Sequence, residues 1–112
     1  MSEDPERLLG EVLSIEANHD QSGATIVLAG EFDLTGSQRF WSFVSEALAA
    51  RPKSITVDAR GVEFIDSSGL MALVRARDSA TEADVAFRVS EPSPAVRHIA
   101  EVTGLEELLG VE

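Results

Sequence analysis

The sequence predicts a small α/β domain: a mixed, mostly parallel sheet of four to five strands with helices packed on it, in the order β-β-α-β-α-β-α. Three observations carry that expectation. Two short strand-like runs open the chain, with a cluster of turn formers between them. After them the apolar period switches repeatedly between two and about 3.6 residues. A chain of 112 residues has room for one modest core and not for a second independent domain. One domain is therefore assigned to residues 1–112, with residues 1–8 as a flexible polar lead-in.

Leu13, Ile15 and Ala17 alternate as a first strand, loosely, because Val12 breaks the pattern at its start. Asn18 to Gly23 collects turn-forming residues. The apolar run from Ala24 to Ala29 suits a strand buried on both faces, and the two runs together suggest an antiparallel hairpin. From Ser37 to Ala50 the period becomes helical, through Phe40, Phe43, Val44, Ala47 and Leu48, with Trp41 at the edge of the stripe. Thr35, Gly36 or Ser37 is expected to cap this helix, and Pro52 blocks its continuation. Ile55 and Val57 alternate with Thr56 and Asp58 as a third strand.

Phe64-Ile65 reads as a further buried strand or its exit loop, ending abruptly in Asp66-Ser67-Ser68-Gly69. An amphipathic helix follows, from about Ser68 to Ala80, and Asp66, Ser67 and Ser68 are all candidates for its cap. Val85, Phe87 and Val89 alternate as a fourth strand. Ser93 followed by Pro94 is a helix start, Gly104 is the matching stop, and Ala95, Ile99 and Val102 are expected on the inner face. Leu105 to Val111 fits either a short helix or a strand.

Composition removes several function classes. Without cysteine, disulfides, thiolate catalysis and zinc–sulfur sites are excluded. His19 and His98 lack metal-ligand spacing, and the chain holds no glycine-rich phosphate loop. No metal or other cofactor is expected, and no enzymatic activity. A net charge of −11 opposes direct nucleic-acid binding, which relies on neutralising phosphates. That acidity serves either solubility or attraction to a partner with a basic face. The acidic N-terminus is unlike a secretory signal, and no apolar run approaches the ~20 residues of a membrane span. The expectation is a cytoplasmic protein without membrane insertion.

The most informative stretch is Phe64-Ile65-Asp66-Ser67-Ser68-Gly69-Leu70. A phosphate on a serine here would face free backbone N–H groups and the positive end of a helix dipole. The stretch resembles the phosphorylation motif of the STAS domain, the sulphate transporter and anti-sigma factor antagonist fold. Gly30-Glu31-Phe32-Asp33 resembles the Gly-Glu-Leu-Asp that closes the family's second strand. Ser93-Pro94-Ala95-Val96-Arg97, followed by Val102-Thr103-Gly104-Leu105, resembles its Ser-Pro-x-Val helix and terminating glycine. The three matches stand in the family's order and span roughly residues 10 to 110. The family usually carries one more strand and a final helix, so this chain is expected to lack at least the helix or to have it very short.

The resemblance implies an anti-sigma factor antagonist whose unphosphorylated form binds an anti-sigma factor and so releases a sigma factor. That partner would be a serine kinase of histidine-kinase-like ATPase fold, opposed by a PP2C-type phosphatase. It further implies Ser67 as the phosphoacceptor, with Ser68 the alternative, and Asp33, Asp66, Ser68 and Gly69 in the partner-binding surface. The residues themselves leave simpler roles open: Asp66-Ser67-Ser68 as a helix cap, and Asp33 as an Asx-turn holding its own loop. Trp41 is either core edge or a partner contact. Asp58 has no histidine relay that would make it a general base for Ser67, and no Gly-x-Ser-x-Gly elbow surrounds that serine. STAS-like domains also serve as regulatory or structural subunits of lipid-transport ABC systems or stress-signalling complexes, which is the alternative function.

Overall fold

A computed structural model describes residues 13–109. Strands β1 (Leu13–Asp20) and β2 (Gly23–Phe32) form an antiparallel hairpin, followed by α1 (Leu34–Ala49), β3 (Ser54–Ile65), α2 (Ser67–Glu82), β4 (Ala86–Ser90), α3 (Pro94–Thr103) and a 3-10 turn (Glu106–Leu109). The sheet order is β1-β2-β3-β4, with β2, β3 and β4 parallel. The expected class, element order and mixed sheet are therefore observed, with four strands among the described residues. The expected lead-in, residues 1–8, lies outside the described residues.

Strand boundaries differ from those expected. The hairpin turn is only Gln21-Ser22, because Asn18, His19 and Asp20 continue β1. The Asp20 carboxylate accepts from the Ser22 N–H at 2.8 Å, the Ser22 hydroxyl at 2.7 Å and the Gly23 N–H at 3.2 Å. Those bonds, the Ser22 hydroxyl first, hold the Asp20 carboxyl below the usual carboxylate range. Ile55–Val57 and Phe64-Ile65 belong to one twelve-residue strand, β3. Register shifts against β2 between Val27 and Ala29 and between Gly30 and Glu31 re-aim its far half. Phe64 is left exposed there while Val62 and Ile65 are buried.

The run Ala24–Ala29 is not buried on both faces. Ala24, Ile26 and Leu28 are buried, whereas Thr25, Val27 and Ala29 are half-buried. Among the described residues, one face of the sheet carries the core. Phe40, Val44 and Ala47 of α1, Leu70, Leu73, Ala76 and Ala80 of α2, and Val96 and Ala100 of α3 join that face in a single cluster. The inner residues of α3 are Val96 and Ala100, with Ala95 and Ile99 flanking; Val102 is 66% exposed. Its ends are as expected: Ser93 caps, accepting from the Val96 N–H at 3.3 Å, and Gly104 closes the helix at φ 76°. Among the described residues β4 pairs with Ser54–Asp58 alone, and α3 packs against β3 and α2.

Candidate functional site

The parallel pairing of β2 and β3 sets Phe32 beside Ile65. Each strand then ends in an aspartate that caps the next helix. Asp33 accepts from the Gly36 N–H at 3.0 Å at the start of α1, and Asp66 accepts from the Gly69 N–H at 3.2 Å at the start of α2. Asp33-Leu34-Thr35-Gly36 and Asp66-Ser67-Ser68-Gly69 are thus two copies of one corner at the same edge of the sheet. The expected α1 caps, Thr35, Gly36 and Ser37, instead lie inside the helix. Thr35 and Ser37 compete poorly, because the cap needs an extended backbone and Asp33, at φ −111° and ψ −163°, supplies it at the strand end.

The same holds for Asp66, at φ −110° and ψ −171°. Among the three cap candidates of α2 it is Asp66 that caps, so Ser67 is the first helical residue and its hydroxyl is exposed. Ser68 is half-buried, and Gly69 is buried. A Cβ on Gly69 would overlap the Phe32 carbonyl oxygen and lie 2.9 Å from both Ile65 Cγ1 and the Phe32 ring. Only a bare backbone allows α2 to start this close to β2. The Asp66 N–H also reaches the Phe32 carbonyl at 3.4 Å. Phe32 in turn is fixed by an edge-on contact with Phe40, ring centroids 5.3 Å apart.

Between α1 and α2, beginning at these corners, lies an open groove of about 590 Å³. Leu34, Ser37, Gln38 and Trp41 form one wall; Ser67, Ser68, Met71, Ala72 and Arg75 form the other. The Arg75 guanidinium lies 3.9 Å from the centre of the Trp41 ring, a cation–π stack. Leu34, Met71 and Arg75 carry no functional expectation from the sequence. Their only advance signal is the helical spacing of Leu34 with Trp41 and of Met71 with Arg75, which shows a shared stripe on each helix but not that the stripes face each other.

The structure brings Asp33, Asp66, Ser67, Ser68 and Gly69 to one edge of the sheet and leaves Asp58 seven residues back from Ile65 within β3. Asp58 lies on the opposite sheet face from the buried Val57 and Ala59, bound to Arg60 at 3.3 Å, and raises the Arg60 pKa chiefly through that hydrogen bond. No group of three or more His, Cys, Asp or Glu suited to a metal occurs among the described residues. No described helix is long and apolar enough to cross a membrane.

A buried scaffold thus presents an exposed serine at a helix start, two flanking carboxylates and a groove of mixed apolar and polar lining. The family model described as Mlab, STAS domain matches residues 15–110, and a STAS-domain containing protein of Pseudomonas aeruginosa is 32% identical over 92 residues, 82% of this chain and 90% of that protein. The chain belongs to the STAS-domain family. Its fold is that of an anti-sigma factor antagonist from Mycobacterium paratuberculosis, at TM-score 0.77 and 22% identity over 87% of this chain and 82% of that one. It is likewise that of the anti-sigma factor antagonist SpoIIAA, unphosphorylated (TM-score 0.73, 20% identity, 86% of this chain and 85% of that one) and, from Bacillus, phosphorylated (0.70, 19%, 86% and 88%).

Proposed function

We propose that this STAS domain is an anti-sigma factor antagonist whose affinity for its partner is set by phosphorylation of Ser67. The unphosphorylated form binds a kinase-type anti-sigma factor of histidine-kinase-like ATPase fold in the cytoplasm and releases a sigma factor. The partner phosphorylates Ser67, and a PP2C-type phosphatase removes the phosphate. One observation supports this above the rest: Asp66 already caps α2, so the exposed Ser67 hydroxyl has no capping duty. A phosphate there adds about −1.5 to −2 charges at a helix N-terminus that tolerates them. The likeness to SpoIIAA in both states, at TM-scores 0.73 and 0.70, agrees with a switch of surface charge on a constant fold.

The test compares Ser67→Ala and Ser67→Asp by calorimetric titration against the same partner. Ser67→Ala is expected to bind as the unphosphorylated protein does. Ser67→Asp should bind about ten- to a hundredfold more weakly, ~1.4 to 2.7 kcal/mol, with the fold intact. Equal affinity in two folded variants removes the switch. Incubation with the kinase and ATP should add one phosphate, mapped to Ser67; mapping to Ser68 shifts the acceptor by one residue.

A second reading, the regulatory or structural subunit of a lipid-transport ABC system or a stress-signalling complex, has the family match in its favour. The description of that family names a STAS domain and no anti-sigma activity. Such a subunit uses the same surface without needing the serine.

A further inference from the structure

The groove that starts at Ser67 extends two helical turns beyond anything a phosphate switch requires. Leu34 and Met71 are 60% and 55% exposed on its opposite walls, an unusual outlay of large apolar side chains in a chain of net charge −11. Trp41, on the same wall as Leu34, is half-buried. Arg75 is the one charged residue in the lining, and among the described residues it forms no ion pair; the arginines that do are Arg60 and Arg77. The groove thus combines exposed apolar side chains with serines and a glutamine, and its one charge is a cation on an acidic protein.

We propose, building on the protein-binding reading above, that this groove receives an amphipathic helix of the partner. Its apolar side chains cover Leu34, Trp41 and Met71, and a carboxylate on it pairs with Arg75. About 590 Å³ has room for the few apolar anchors, spaced i, i+3 or i+4 and i+7, by which a helix sits in a groove. A small molecule is a poor occupant, since such ligands need ~70–90% of their surface covered and this groove is open. A second copy of the chain is disfavoured as well: its own walls offer Arg75 another Arg75, and both molecules are strongly acidic.

The anchor and the switch are separable along the groove. Ser67 and Arg75 are eight residues apart on α2, about 12 Å along its axis. That exceeds the ~8 Å over which charges act at physiological salt. Substitutions at the two positions are therefore expected to weaken binding independently, their fold-changes multiplying.

The experiment uses the full chain and the partner protein recovered with Ser67→Ala from native cells and identified by mass spectrometry. A photo-crosslinker in place of Met71 should label a segment of that partner with apolar residues at helical spacing and an Asp or Glu. Arg75→Glu should weaken binding about tenfold or more and Met71→Asp about a hundredfold, with both variants still folded cooperatively. Reversing the partner's carboxylate to Arg should restore binding to Arg75→Glu. Crosslinking to a second copy of this chain overturns the proposal. So does wild-type affinity in Arg75→Glu and Met71→Asp. Should those two variants bind normally while Ser67→Asp binds weakly, the groove proposal falls and the phosphoswitch stands. Weak binding by Arg75→Glu beside normal binding by Ser67→Asp has the reverse meaning.

Discussion

At the end of β2 the chain turns through Asp33 into α1, and at the end of β3 it turns through Asp66 into α2. Both turns use an extended aspartate, a bond to the N–H three residues on, and a buried glycine donating that N–H. They differ in the residue that follows the aspartate. One presents Leu34 and the other Ser67, on opposite walls of the same groove. The backbone device makes the corner, and the first helical side chain distinguishes the two, an apolar leucine in one and a serine hydroxyl in the other. Under the proposed switch, local architecture alone is a poor guide to which corner carries it.

The largest effect is expected where the two corners meet. Phe32 packs on Phe40 behind the first, and its carbonyl and ring lie against Asp66 and Gly69 of the second. Phe32→Ala should cost about 3–5 kcal/mol in denaturant unfolding. Amide exchange should rise at both helix starts; a rise at only one would show that Phe32 does not couple them. Next come the glycines. Gly69→Ala drives a methyl into backbone and should cost about 1–3 kcal/mol. The nearest atoms to a Cβ on Gly36 are the Leu13 side chain, Cδ2 at 2.9 Å and Cβ at 3.3 Å, so Gly36→Ala should cost less. Equal costs in the two would mean that the corners are packed alike.

The aspartates are expected to differ least in stability and most in function. Asp33→Ala and Asp66→Ala each lose a cap, about 0.5–2 kcal/mol by thermal melts. Asp33→Asn keeps a capping oxygen and should change stability by no more than a few tenths of a kcal/mol. It should still impair phosphorylation or partner binding, because the carboxylate charge at the sheet edge is lost. Unfolding of Asp33→Asn would assign the residue to its loop alone.

These corners also show what was legible in the sequence. Element types and order were readable because each helix and strand carries its own period, and α3 was readable at both ends, since Ser93, Pro94 and Gly104 act locally. The start of α1 was not. Asp33 reads as the close of a strand, and its service as a cap depends on the angle at which β2 delivers it. The sequence suggests too wide a hairpin turn because Asn18 and His19 favour turns by composition, while pairing with Thr25 and Ala24 keeps them in β1. Ser67 stands out in the sequence through its motif, and the structure places it as the first residue of α2. The groove does not stand out there, because it exists only where two helices distant in sequence lie side by side, and no single-helix pattern records which stripes will face each other.

The clamp of α2 onto the Phe32 carbonyl bears on time as well as geometry. A corner held by its own backbone has little to rearrange when a partner arrives, so encounter is expected at the rate of rigid docking, ~10⁵–10⁷ M⁻¹s⁻¹, in either phosphorylation state. Under the proposed switch, the modification then acts mainly on how long the complex lasts, and regulation is written in residence time.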